Sequence, residues 1–417
     1  MNHNKIILLV VICTVSLVLH HNGLQRWTMD AFSFGFRSHP VPLQKLKRTN
    51  LVFLKTHKTA SSTMQNMMFR FAEHHNLTVA FPADFCGHMF CYPYYFSPKF
   101  VNSHTIKPNI IASHMRFNKK ELQLLMPKDT LYITILREPS SMFDSAFSYY
   151  LNECATFQRV PNHSLEAFLA DPWRYYRSNE MDSMYAHNNL AFDLGKDKDH
   201  PATDAAYVQA FLAEVEQTFS LVMIADYFDE SLVVLRHLLS WDLNDIIYFK
   251  LNMRKEDSKR TLTPVLASKI RAWNALDARL YDYFNASLWR QIAALGSTIV
   301  AKEVQELQQA QERLMRSCFN GQVQLRSSKE MINKSLRPWQ PAGAAEIMGL
   351  DLPLNFSHGL SSQVKELCLK LVTPELHYLN ILQHERSLRY RNSVSVVQVS
   401  VVQVSVVQVS VAQIPDE

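Results

Sequence analysis

Four short apolar runs constrain this chain more than any other feature. They are Leu51–Leu54 (LVFL), residues 109–112 (NIIA), Leu131–Leu136 (LYITIL) and Leu221–Ile224 (LVMI). Each is followed by a polar turn and then by apolar residues at helical spacing. A strand that is apolar at successive positions is buried on both faces. Such strands alternating with helices predict an α/β fold: a mostly parallel sheet with helices on both faces. In sheets of this kind, ligands gather beyond the carboxyl ends of the strands, so those ends are where the chemistry is expected.

The first run leads into Lys55-Thr-His-Lys-Thr-Ala-Ser-Ser-Thr63. Met64, Met67, Met68, Phe71 and Ala72 then mark one face of a helix. Ser61 or Ser62 is placed to cap it. A strand, a loop of small hydroxyl residues and a helix N-terminus offer several N–H groups to one anion, and Lys58 adds a cation there. The chain has only nine glycines, and neither G-x-G-x-x-G nor G-x-x-x-x-G-K-[ST] occurs. Residues Lys58, Thr59, Ala60, Ser61, Ser62 and Thr63 therefore read as an anion-binding loop built without glycine.

The third run ends in Arg137, with Pro139 suited to start a helix and Ser145 within it. An arginine fork and a hydroxyl make a second candidate anion site at the same edge. The second run ends in Ser-His114-Met-Arg-Phe. A histidine between two anion sites is a candidate general base, and such a base ought to fail as pH drops through about 6.5. Asp229 and Glu230, after the fourth run, read as structural partners of a helix dipole.

The rest of the chain divides by composition. Residues 1–5 form a tip and 6–19 an uncharged apolar run covering about 21 Å as a helix, short for a bilayer core of about 30 Å. No small-residue cleavage site follows, so a signal anchor is favoured over a cleaved signal peptide. Residues 20–48 read as a stem, 49–390 as the globular domain and 391–417 as a low-complexity tail repeating Ser-Val-Val-Gln-Val. One long helix is expected over 286–318, and 320–385 reads as an irregular wrap. Glycosylation sequons lie at Asn76, Asn162, Asn285, Asn333 and Asn355. Outside the apolar run there are five cysteines, an odd number whose pairing spacing does not fix. Lys+Arg exceed Asp+Glu by 43 to 38, too mild and dispersed a surplus for a nucleic-acid partner.

Several segments together resemble the galactose 3-O-sulfotransferase family. They are LKTHKTASST (54–63), HMRF (114–117), LREP (136–139) with SYY (148–150), and YFDESLVVLRHLLSWDL (227–243). WNALD (273–277), LYDYFNASLW (280–289), RPWQP (337–341) and TPELHY (373–378) join them, so the resemblance covers about residues 50–385. It implies a P-loop-like sulfotransferase fold that carries sulfate from 3'-phosphoadenylyl sulfate (PAPS) to the 3-hydroxyl of a terminal β-galactose, with no metal in the chemical step. N-acetyllactosamine glycans are the favoured acceptors and galactosylceramide the alternative. Residues 84–108 and 151–185 are the expected acceptor loops.

Residue by residue, the resemblance implies that Lys58 and Thr59–Thr63 hold the 5'-phosphosulfate, Lys58 also acting catalytically, and that Arg137 and Ser145 hold the 3'-phosphate. His114 matches the histidine proposed as base in related uronosyl sulfotransferases. The setting implied is the Golgi membrane, single-pass type II, with the catalytic domain in the lumen. An inactive lumenal glycan-binding scaffold is the rival from another class.

Overall fold

The run LVFL is apolar throughout because it becomes the interior strand β1 (Leu51–Leu54), whose four side chains have no solvent exposure. Full burial of such side chains stabilises by about 1.5–3 kcal/mol each. The computed structural model describes residues 46–386 apart from 106, 343, 345, 354, 355 and 357. The expected anchor at 6–19, nearly all of the stem, the sequon at Asn355 and the tail lie outside these residues. Among the described residues no helix is long and apolar enough to cross a membrane.

β1 pairs in parallel with β2 (Ile110–Ile111) on one side and β3 (Leu131–Leu136) on the other. Leu51 lies opposite both Ile110 and Leu131. β3 in turn pairs in parallel with β4 (Leu221–Ile224), giving the order β2-β1-β3-β4. All four expected strands are present, the second shortened to two residues. Because every pairing is parallel, the four carboxyl ends share one edge, as expected.

Helices flank this sheet. α1 (Ser61–His74) follows β1, α2 (Lys119–Leu125) follows β2, and α3 (Pro139–Tyr149) follows β3 with Pro139 in its first turn, where proline's missing N–H costs no bond. α4 (Ala205–Thr218) precedes β4 and α5 (Phe228–Leu239) follows it. After α6 (Pro264–Trp273) come α7 (Ala275–Leu295) and α8 (Ser297–Phe319). The single helix expected over 286–318 is thus two. Gly296 separates them at φ +99°, a conformation that side-chain-bearing residues rarely adopt and that ends a helix.

The region expected to be irregular builds a second, antiparallel sheet. β5 (Met253–Arg254), β6 (Gln324–Ser327) and β7 (Ile347–Asp351) pair in the order β5-β7-β6. Cys318, at the end of α8, is bridged to Cys368 in α9 (Ser362–Val372). Residues 375–386 are helical, and Glu375 at their start pairs with Lys55, the residue after β1, at 2.6 Å. Cys86 pairs with Cys91, leaving Cys154 as the buried free thiol that the odd count requires. Of the sequon asparagines, Asn76, Asn162 and Asn333 are exposed, whereas Asn285 lies within α7 with its side-chain oxygen enclosed.

Candidate functional site

The carboxyl edge of the parallel sheet opens into a cavity of about 650 Å³. Its walls include all the residues singled out from the strand ends: Lys58 to Thr63, His114, Arg137 and Ser145. The local sequence places each one. β1 delivers the 55–60 loop, the segment after β2 delivers His114, and β3 ends one residue before Arg137.

The loop differs from expectation in how it works. Neither Ser61 nor Ser62 caps α1; the N-cap position is Ala60, in the left-handed region at φ 61°, as is Lys58. Ser61 Oγ instead donates to the Thr56 carbonyl at 2.6 Å, and the Thr59 and Thr56 hydroxyls bond each other at 2.8 Å. Thr63 Oγ1 accepts the N–H of Leu251, and Ser62 turns toward Glu375. The hydroxyls therefore shape the loop rather than face the cavity as free donors. What the loop offers an anion is main chain: the N–H groups of Lys58, Thr59, Ala60, Ser61 and Ser62 make no hydrogen bond among the described residues. Unpaired amides at a helix N-terminus are a ready anion cradle.

Arg137 braces this cradle. Its Nη1 donates to the Lys58 carbonyl at 3.1 Å and its Nε to Ser141 Oγ at 3.0 Å, leaving Nη2 for a ligand. Lys58 is pushed down to about 7, first by burial and then by the neighbouring Arg137, Arg254 and Lys55, with Glu375 opposing. Six cations (Lys55, Lys58, Arg137, Lys250, Arg254, Lys259) and four carboxylates (Asp226, Asp229, Glu230, Glu375) line the cavity. Most of the carboxylates are already engaged. Asp226 accepts the N–H of Glu138, Asp229 takes Tyr248 and Gln308, and Glu375 pairs with Lys55 at 2.6 Å. The surplus is positive and suits a multiply charged anion. Asp229 and Glu230, read as helix-dipole residues only, thus also form part of the wall, beside the apolar surfaces of Phe228, Tyr248 and Leu251. Amide cradle, cationic surplus and apolar wall together fit a phosphorylated nucleoside.

Two histidines meet at the other end. His114 and His57 stack with ring centres 4.0 Å apart and planes 10° from parallel. His114 Nδ1 lies 2.8 Å from the Lys55 carbonyl and therefore carries the proton; Nε2 lies 3.1 Å from the Lys55 ammonium. Burial, with His57 and Lys55 beside it, pushes His114 well below the usual imidazole range. The acid loss near 6.5 expected for this residue is therefore displaced to lower pH. His57 Nδ1 lies 2.9 Å from the Asp193 carboxylate, which also accepts the His57 main-chain N–H at 2.9 Å and the Tyr92 hydroxyl at 2.8 Å.

The strand-end pattern did not reveal Lys55, Asp193, Arg254 or Glu375 as site residues. Lys55 is adjacent to the loop and its charge was a signal. Arg254 sits on β5, its Nη2 2.6 Å from Asp144 of α3. Asp193 and Glu375 had no local signal, since each meets its partner only through packing.

The galactose-3-O-sulfotransferase family model matches residues 1–386. The chain is 50% identical over 392 residues to galactose-3-O-sulfotransferase 3 of Mus musculus, covering 93% of this chain and 90% of the relative. It is 50% identical over 396 residues to galactose-3-O-sulfotransferase 3 of Homo sapiens, with 93% and 90% covered. It is 41% identical over 341 residues to galactosylceramide sulfotransferase of Mus musculus, with 80% and 78% covered.

Proposed function

Since this chain belongs to the galactose-3-O-sulfotransferase family, we propose that its strand-edge cavity transfers sulfate to the 3-hydroxyl of a terminal β-galactose. PAPS is the donor that the family implies, and N-acetyllactosamine-type glycans are the favoured acceptors. The observation that carries this reading is the cradle of five unpaired N–H groups from Lys58 to Ser62 beside Arg137 and a cationic wall. When bound, the donor supplies an activated sulfuryl group on a phosphate leaving group.

The chain's own residues do the rest. The loop amides and Lys58 bind the phosphosulfate end and offset charge as it grows on the leaving oxygen, a type of preorganised contact worth up to about 4 kcal/mol per donor. Arg137 and Ser145 hold the 3'-phosphate, Arg137 at the same time fixing the loop through the Lys58 carbonyl. A base from the stacked histidine pair removes the acceptor proton. No metal is assigned to the chemical step.

We place the domain in the Golgi lumen behind a type II anchor at residues 6–19. Two disulfides and exposed sequons at Asn76, Asn162 and Asn333 support an oxidising, glycosylating compartment. Incubation with radiolabelled PAPS and a panel of N-acetyllactosamine, O-glycan core and galactosylceramide acceptors tests the function. Labelled 3-O-sulfated galactose on the first acceptor is expected. Preference for galactosylceramide replaces the acceptor assignment, and binding of desulfated donor with no transfer to any acceptor overturns the activity in favour of a scaffold.

A further inference from the structure

The two stacked imidazoles differ in what stands behind them, and that difference selects the base. His114 Nδ1 donates to a main-chain carbonyl, so its only lone pair is on Nε2, and this faces the Lys55 ammonium at 3.1 Å. A proton added there would meet a cation. His57 is the reverse case. The Asp193 carboxylate accepts from its Nδ1 at 2.9 Å, which leaves the lone pair on Nε2. That Nε2 makes no hydrogen bond among the described residues, and His57 lines the cavity. With ring centres only 4.0 Å apart, one positive charge on the pair excludes a second.

We infer that His57 is the catalytic base of the sulfate transfer and that Asp193, acting through it, is its positioning residue. The geometry is that of an imidazole held in one tautomer by a buried carboxylate while its other nitrogen works. Asp193 is itself held: it has no solvent exposure, takes Tyr92 as a second donor, and follows β1's loop through the His57 main-chain N–H. His57 Nε2 takes the proton of the galactose hydroxyl while that oxygen bonds sulfur and the bond from sulfur to the leaving phosphate breaks. The bonding pair stays on the phosphate oxygen, and the proton later passes to solvent. His114 serves as a neutral wall that keeps Lys55 and its partner Glu375 in place.

Polar and aromatic groups face His57 from several elements. Asp193 and Tyr92 lie against one edge, and Tyr150 and Tyr185 meet the ring edge-on. His114 lies on its face, with Lys55 and Glu375 behind that ring and His88 beyond. Asp193 and Glu375 are the carboxylates in this set, and Glu375 is paired with Lys55, so Asp193 supplies the negative charge that a protonated His57 needs.

The inference rests on the sulfotransferase reading, and the tests separate the two. Histidine-selective ¹⁵N labelling of the full chain, with the His57→Gln spectrum as the assignment control, reads the tautomer without turnover. A protonated Nδ1 and bare Nε2 are expected in the wild type and a mixture of tautomers in Asp193→Asn. In single-turnover transfer, His57→Gln and Asp193→Asn should each lose about 10²–10⁴-fold, with calorimetric affinity for adenosine 3',5'-bisphosphate changed less than about threefold. His114→Asn should stay within about tenfold of wild type in the same assay. If Asp193→Asn does not unfold cooperatively, His57→Gln and the wild-type spectrum decide. His57→Gln within tenfold of wild type, or a wild-type His57 protonated on Nε2, overturns the assignment. Wild-type protein inactive on every galactose acceptor overturns the sulfotransferase reading instead, whatever the tautomer.

Discussion

The Lys58 ammonium lies 3.5 Å from the centre of the Tyr149 ring. A cation over an aromatic face is stabilised by the ring's quadrupole, yet this one is half-buried beside Arg137, Arg254 and Lys55 and is pushed down to about 7. Lys58, which the proposed function sets against the donor's phosphosulfate end, thus lies near the balance of its charged and neutral forms at about pH 7, and an arriving anion favours the charged one.

Donor-product binding should therefore take up a proton. Calorimetry of adenosine 3',5'-bisphosphate in buffers of different ionisation heat should show uptake above pH 7, and affinity should fall as pH rises from about 7 to 9. Lys58→Arg, charged throughout, should show neither. In the ligand-free protein the sign is also fixed. An unfolded lysine titrates near about 10.4, so between the two values the unfolded chain binds more protons and stability rises with pH. Urea unfolding of wild type relative to Lys58→Met should show that gain, and a flat difference across the window contradicts it.

Arg137→Ala removes the brace on the Lys58 carbonyl and, on the proposed function, a ligand for the 3'-phosphate. Donor KM should rise roughly 10–100-fold, as expected for losing a charged hydrogen bond, while acceptor KM changes little. Arg137→Lys should recover only part, because an ammonium cannot hold the carbonyl and a phosphate as a planar fork does. Unchanged donor KM in initial-rate kinetics would place the 3'-phosphate elsewhere.

Trp339, in the RPWQP segment, is 47% exposed and its ring lies 5.6 Å from His88. His88 feels the charges of Glu375, Lys55 and His57, and the main chain of its loop is tied to the site where the Phe90 N–H meets the His114 carbonyl at 2.8 Å. An exposed aromatic face against His88 suits the apolar face of a sugar. Trp339→Ala should raise acceptor KM roughly 2–10-fold, in line with aromatic contact energies of about 0.5–1.5 kcal/mol, and leave donor affinity unchanged. A shifted donor affinity would move Trp339 out of the acceptor subsite.

The Cys318–Cys368 bridge closes a separation of 50 residues. Chain-entropy arguments give such a cross-link about 4 kcal/mol. The Cys318→Ser, Cys368→Ser double variant should lose up to that amount in urea unfolding and should loosen the helix at 375–386 that carries Glu375. Wild-type stability and activity together would show that packing alone holds this segment.

Local pattern was enough for the parts of the site that sit within a few residues of a strand end. LVFL, LYITIL and LVMI could only be interior strands, because apolar residues at successive positions need cover on both faces. Once the strands are parallel, Lys58, His114 and Arg137 must share one edge. The same reasoning missed the break at Gly296 and the second sheet, where strands as short as Met253–Arg254 carry too few residues for a period to show. It also misjudged Ser61 and Ser62. Their type suits a helix cap, but whether a hydroxyl faces the helix, the cavity or the Thr56 carbonyl depends on the loop's left-handed residues and not on composition.

By itself, then, the sequence determined the parallel sheet, the edge at which the cavity opens, the strand-to-helix loop that lines it and the family, since periodicity and contiguous motifs are properties of neighbouring residues. Only the tertiary structure decided what stands behind each of the two histidines. Lys55 meets Glu375 across 320 positions, and His57 meets Asp193 across 136. Nothing local marks either carboxylate as a partner. A buried charge must be paired to remain buried, but packing alone settles which distant group does the pairing, and here it set an ammonium behind His114 and a carboxylate behind His57.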